Sequence, residues 1–238
     1  PFEGGAAGYL GDYADGFNTL TAVGSAATAW SPNSGYDGNG AFQFGAGFHI
    51  DAGAIFPTSQ SYTKMAWVRR DDVSASHNIM SSGSATSGHV LYASQSQSYR
   101  LTSGHSGNYN AVQDPVALDP DVWYHVAVTF DYSTGDMRLY KNGVEVDAAI
   151  LPVDQRDVFD ANLEIGAFSG SSEWVGGIDD VRLYGYAVPP EQVLAVYNSG
   201  NVIDAASTDY NDVWQARVTP FSATDVGTSV LSNQITIQ

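Results

Sequence analysis

Cysteine is absent from the 238 residues, which excludes disulfides, thiol catalysis and zinc–thiolate sites. Positive charge is scarce: nine lysines and arginines stand against 26 aspartates and glutamates, a formal charge of −17. Such a surface repels nucleic acid phosphates and anionic membranes, so both are set aside as partners. No apolar run approaches the roughly 20 residues of a membrane-spanning helix, and membrane insertion is not expected. A signal peptide pattern is also missing, so an export signal is expected outside this chain or already removed. The glycine-rich stretches lack a P-loop or dinucleotide fingerprint. His49, His77, His89, His105 and His125 show neither metal spacing nor a nucleophile motif beside them.

What is present points to strands. Hydrophobic residues make up 43% of the chain and aromatics 12%, enough for a packed core, while 25 glycines and 14 tyrosines indicate many short strands joined by turns. The clearest stretch runs from Trp123 to Val146. Trp123-Tyr124-His125-Val126-Ala127-Val128-Thr129-Phe130 is aromatic and β-branched without glycine or proline, as an interior strand requires. Asn142-Gly143 lies between Met137–Tyr140 and Val144–Val146, and that pair favours the positive φ angles of a tight hairpin. Three consecutive antiparallel strands follow, with Trp123 expected in the core.

Further strands are expected at Ala41–Phe44 and Phe48–Ile50 as a short pair, at Tyr62–Arg69, and at Leu163–Ile165. A meander is expected through Asn78–Ser81, His89–Ala93 and Ser98–Thr102, with His105, Asn108, Tyr109 and Asn110 in the loop after it. Trp174–Tyr184 reads as the last long strand. Pro189–Tyr197 is the one helix, with proline in its first turn and Asn198-Ser199-Gly200 as its stop. Beyond about Asn201, Asp212–Pro220 and Gln234–Ile237 are two strands too few to enclose a core.

In this order the features resemble the laminin-G-like, concanavalin A-like jelly-roll family of large secreted prokaryotic proteins. The resemblance rests on Pro1-Phe2-Glu3-Gly4, Gly38–Phe44, Met65-Ala66-Trp67-Val68, Trp123–Asp131, Leu139–Gly143, Leu163–Gly166 and Gly177–Tyr184 with the Pro-Pro-Glu-Gln helix. It implies an all-β jelly-roll sandwich over residues 1–199 with one short C-terminal helix. Residues 200–238 resemble the closing strands of an immunoglobulin-like domain, a partial β segment. Both ends suggest a piece of a longer protein, or a subunit completed by strands from another chain.

The resemblance further implies an extracellular recognition or adhesion module, binding a glycan or a surface protein, with a structural calcium held by Asp180 together with Glu3 or Asp15, and Asp12 behind them. Asp180 has a plainer use as the partner of Arg182. For a glycan, the aromatic and polar candidates are Tyr92, Tyr99, Arg100, His105, Tyr109 and Trp174, because sugars stack on rings and bond through their hydroxyls. Related jelly-roll glycosidases carry a Glu-x-Asp-x-(x)-Glu strand, which this chain does not have, so catalysis is not expected. Two other roles stay open: a subunit of a surface assembly or filament joined to copies of itself through the C-terminal segment, and an accessory module of a carbohydrate-active enzyme.

Overall fold

The computed structural model describes residues 20–25, 29–71, 77–84 and 88–199, and within the C-terminal stretch residues 211, 213–215, 217–218, 221–222, 225–226 and 230–236. The strands are β1 (Thr21–Val23), β2 (Trp30–Ser31), β3 (Ala41–Phe44), β4 (His49–Ala54), β5 (Tyr62–Arg70), β6 (Met80–Ser82) and β7 (His89–Tyr92). They continue with β8 (Arg100–His105), β9 (Asn108–Ala117), β10 (Trp123–Phe130), β11 (Asp136–Lys141), β12 (Val144–Ile150), β13 (Asn162–Ile165) and β14 (Gly176–Tyr184). Helix α1 (Pro190–Ser199) follows.

Two layers enclose the core. The first is a sheet in the order β12-β11-β10-β5-β14-β3-β2. The second joins β1-β4-β13-β6 to β7-β8-β9 through backbone bonds between Ile79 and Leu91 and between Ala93 and His77. Antiparallel pairing and the non-sequential strand order are those of a jelly roll. Between the layers pack Phe42, Ile50, Tyr62, Val68, Met80, Leu101, Val128, Phe130, Leu139 and Ile178.

Strands β5 and β10 lie side by side over eight residue pairs, from Trp123 opposite Arg69 to Phe130 opposite Tyr62. Alternation sends Ala66, Val68, Val126 and Val128 inward. The other face is apolar too, because Met65, Ala127 and Tyr140 are covered by Val188, Val193 and Val196 from α1 and the segment before it. Double coverage explains why these strands read as continuous apolar runs rather than alternating ones. The Asn142-Gly143 turn forms as expected, with φ of 52° and 76°. A Cβ on Gly143 would come within 2.9 Å of Leu194 and 3.0 Å of Tyr197, so the turn also seats the helix.

Several expectations are corrected. Trp123 is half-buried on the outer face of the first sheet, lying across Gly177, where an added Cβ would meet the indole at 2.6 Å. Strands β3 and β4 meet only at the Gly45–Phe48 bridge and belong to different layers. The loop expected to hold His105–Asn110 is a hairpin between β8 and β9. β9 carries Pro115, which an edge strand tolerates because one side of it needs no ladder bonds. The two strands expected after Asn201 pair with each other, Val213 opposite Thr236 and Trp214 opposite Ile235, followed by rungs at Arg217–Leu231 and Phe221–Val226. Val213, Leu231 and Ile235 are exposed on this ribbon.

The core also holds ionisable groups. Lys64 is fully buried, its Nζ on the Met80 carbonyl at 3.2 Å and on His89 Nδ1 at 2.5 Å, and burial pushes its pKa well below the usual lysine value. His105 sits between Tyr62 Oη (2.9 Å) and the Gln155 carbonyl (3.0 Å), and burial lowers its pKa to about 4. Burial does the same to His125, on the outer face between Trp67 and Tyr197. An unfolded histidine titrates near 6.5, so below that pH the unfolded chain gains protons that the folded chain refuses. The stability these residues contribute is complete above pH 6.5 and is lost as pH falls toward 4. Urea midpoints are expected to fall between pH 7.5 and 5, each of the two histidines accounting for about 2 kcal/mol. Equal midpoints at both pH values would refute this.

Candidate functional site

The outer face of the second layer carries the site. Along β7, His89 and Leu91 turn inward, which leaves Val90 and Tyr92 on the opposite face. Tyr92 pairs in register with Thr102, and its hydroxyl donates to Asn110 Oδ1 of β9. Burial raises the Tyr92 pKa to about 12, so it remains a neutral phenol. Beside it Gln113 Nε2 donates to Gln97 Oε1 at 2.8 Å and to Thr102 Oγ1 at 3.1 Å. These bonds make an uncharged amide and hydroxyl network across β7, β8 and β9.

The segment between β13 and β14 folds over this face. Gly170 N–H donates to both Glu164 oxygens, at 2.9 and 3.1 Å. Ser169 N–H donates to the Ser82 carbonyl, and the Asn78 amide donates to the Ser172 carbonyl at 3.0 Å. Trp174, fully buried, fastens the end of the segment through its indole N–H on the Gly177 carbonyl at 3.2 Å. The chain so held brings Phe168 against Tyr109, ring centroids 5.8 Å apart and nearly perpendicular. Between strand face and segment lies an open cleft of about 190 Å³ lined by Asn78, Val90, Tyr92, Ser94, Ser96, Tyr109, Phe168 and Ser172. Three aromatic rings and several hydroxyls in one small concavity suit a polyol with an apolar face.

Of the residues picked from the sequence, the structure brings Tyr92 and Tyr109 together in this cleft. Tyr99 lies elsewhere, with the Arg70 guanidinium 4.0 Å from its ring centre and His77 at its edge. Arg100 Nε donates to the Gln97 carbonyl at 3.0 Å, at the border of the polar network. His105 and Trp174 are corrected as ligand candidates: both are fully buried and offer no face to a sugar. Asn78, Ser94, Ser96, Phe168 and Ser172 were not anticipated. Phe168 alone carried a signal, as an aromatic residue directly before the Ser- and Gly-rich stretch Ser169–Ser172.

On the other sheet, Asp180 stands at a bulge in β14 with φ of 44°. Both of its oxygens bind Arg182, at 2.9 to 3.2 Å. Glu3, Asp15 and Asp12 lie outside the described residues. Among the described residues no three His, Asp or Glu side chains converge on one point, so these alone do not make the calcium site that the resemblance implies.

The remaining cations are similarly engaged. Arg138 pairs with Asp136 and Glu145, and Lys141 with Asp114. Arg69 donates to Gln43, while Arg70 and Arg156 donate to backbone carbonyls. With Lys64 sealed in the core, Lys141 and the six arginines Arg69, Arg70, Arg100, Arg138, Arg156 and Arg182 each have a partner inside the fold. None lines the cleft.

A family model described as the concanavalin A-like lectin/glucanases superfamily, of the laminin-G type, matches residues 37–194, more than half of the chain. The chain belongs to this superfamily. Among solved structures, domain 4 of AbnA, an extracellular arabinanase from Geobacillus stearothermophilus in complex with arabinotriose, superposes with a TM-score of 0.62 at 20% identity. The match covers 79% of this chain and 93% of that one. The binding domain of botulinum neurotoxin serotype G gives 0.59 at 15% identity, over 82% of this chain and 49% of the toxin domain. The binding domain of botulinum neurotoxin DC in complex with rat synaptotagmin II gives 0.57 at 15%, over 85% and 55%. The chain thus spans about half the length of the toxin domains it matches, and at these identities the likeness is one of fold. No curated protein sequence matches it. Among the described residues no helix is long and apolar enough to cross a membrane.

The Asp180–Arg182 pair is expected to matter for this lectin-like sandwich, since Asp180 is nearly buried and Arg182 mostly so. Asp180→Ala is expected to cost about 2–4 kcal/mol in urea unfolding by leaving a guanidinium without its partner, and Asp180→Ala/Arg182→Met to recover part of that loss. A single variant as stable as the parent would rule the pair out as a support.

Proposed function

We propose that this chain is a non-catalytic carbohydrate-binding module of an extracellular or cell-surface protein, and that the cleft between β7, β9 and the Gly166–Val175 segment holds the glycan. The observation that carries this reading is the convergence of Tyr92, Tyr109 and Phe168 with the Ser94, Ser96 and Ser172 hydroxyls in one concavity. Sugars present C–H faces that stack on rings and hydroxyls that both donate and accept, and the cleft supplies a counterpart for each. The arabinotriose complex of the AbnA domain supports a glycan as the ligand class. Composition supports an exposed location, as an acidic, cysteine-free chain rich in Tyr, Ser and Gly suits a prokaryotic surface.

A second reading has its own observation. The paired strands at 213–214 and 235–236 form a two-stranded ribbon with Val213, Leu231 and Ile235 exposed, and such a ribbon is marginal in water without a partner. Joining to a neighbouring domain or another copy through it is compatible with glycan binding in the cleft.

Affinity electrophoresis through gels containing polysaccharides checks the main reading. Retardation on at least one polysaccharide is expected, and Tyr109→Ala and Phe168→Ala are each expected to weaken it about tenfold, the loss of one ring-stacking contact of roughly 1–1.5 kcal/mol. Melting temperatures of both variants should stay close to the parent's, since neither ring is in the core. Retardation unaffected by both variants would move the site elsewhere. Release of reducing sugar from the same polysaccharides would contradict the non-catalytic assignment.

A further inference from the structure

We infer that the cleft accepts one uncharged sugar ring at a time and discriminates against uronic, sialic and sulfated sugars. This rests on the glycan reading above and adds the ligand's charge and size.

The size follows from the volume. The cleft measures about 190 Å³. That is room for a single monosaccharide ring and its hydroxyls, and it is below the roughly 300–1,000 Å³ that enclose larger ligands. Its boundaries are fixed on several sides. Tyr92 is tied to Asn110, the Tyr109 and Phe168 rings meet edge to face, and the segment carrying Phe168 is bonded to Glu164, Ser82 and Asn78. A second ring of the same oligosaccharide would therefore project into solvent.

The charge preference follows from the lining. Every polar side chain around the cleft is a neutral hydroxyl or amide: Ser94 and Ser96, whose hydroxyls lie 2.9 Å apart, Ser172, the two tyrosines and Asn78. The Asn78 amide nitrogen donates to the Ser172 carbonyl and its carbonyl accepts from Ser81. Hydroxyls that can either donate or accept match the hydroxyls of a neutral sugar. A carboxylate or sulfate only accepts, and on losing its water it needs charge-assisted donors. No lysine or arginine lines the cleft, and Lys64, Lys141 and the arginines between Arg69 and Arg182 are committed to carboxylates, carbonyls or the core. Glu173 follows Ser172 directly in the chain, and the surrounding molecule carries a formal charge of −17. Anionic sugars thus meet repulsion without compensation.

Isothermal titration of the full chain distinguishes the cases. The probes are arabinose, xylose, galactose and glucose, each from the monosaccharide to the tetrasaccharide, with glucuronic acid, galacturonic acid and their oligomers as charged counterparts. For the neutral series that binds, roughly millimolar dissociation constants are expected, as one small ring makes few contacts. Lengthening from one to four units should improve affinity no more than about fourfold, which is the statistical gain of offering four units instead of one to a single subsite. The matching uronic acid should bind at least about tenfold more weakly at low salt, the deficit shrinking in about 0.5 M salt as charges are screened. A roughly tenfold gain for each added sugar would replace the single subsite by an extended groove, and equal or tighter uronate binding would overturn the charge preference. If neither series binds, or if Tyr109→Ala and Phe168→Ala leave the titrations unchanged, the glycan reading of the cleft itself fails, rather than its selectivity.

Discussion

The antiparallel register between β5 and β10 is the constraint on which the rest of the molecule depends. Both strands are apolar on two faces, and the register decides which residues go inward with Val68, Val126 and Val128 and which go outward with Met65 and Ala127. A slip of one residue would exchange the two sets and bring His125 and Trp67 into the core. The Asn142-Gly143 turn guards against that slip from one side. His125 and Asn142 exchange bonds across it, the backbone N–H of each reaching the other residue. From the other side β14 pairs with β5 across a bulge, so β5 is held in register by neighbours on both of its edges.

Ionisable groups inside the sandwich are the cost of this arrangement. Lys64 points inward because Met65 must point outward toward the helix, and strand alternation allows no other choice. The protein accommodates it with the Met80 carbonyl, His89, and the faces of Phe56 and Tyr62 about 5 Å away. His105 reaches the same region from β8. The result is a polar knot within an otherwise hydrophobic core, whose neutral state is the one compatible with burial.

Much of this was legible in the sequence, and the portions that were not share a cause. The β10–β12 hairpins, the helix and the strand ending at Tyr184 follow from local chemistry: Asn-Gly, Pro-Pro-Glu, uninterrupted β-branched runs. Their family resemblance is carried by the same residues and agrees with the match over residues 37–194. The cleft was only half visible. Tyr92 and Tyr109 were picked for their type, and so were His105 and Trp174, which are buried. Which face a residue takes in β8 and β9 depends on bulges between Arg100 and Thr102 and between Ser103 and His105, and nothing in the local sequence marks them. Asn78, Ser94 and Ser172 meet only because a later segment folds back over earlier strands. Such a meeting is a property of tertiary structure and leaves no pattern in any one stretch.

The segment from Gly166 to Val175 joins two regions that must behave differently. Its far end is anchored by a buried indole and by the Trp174 backbone N–H, bonded back to the Gly166 carbonyl at 2.8 Å, and its middle supplies a ring to the surface. Closing the loop on itself removes most of its conformational freedom before any ligand arrives. An incoming molecule therefore meets a wall whose ordering entropy was already spent during folding, so little of the energy of its contacts is consumed in organising the loop.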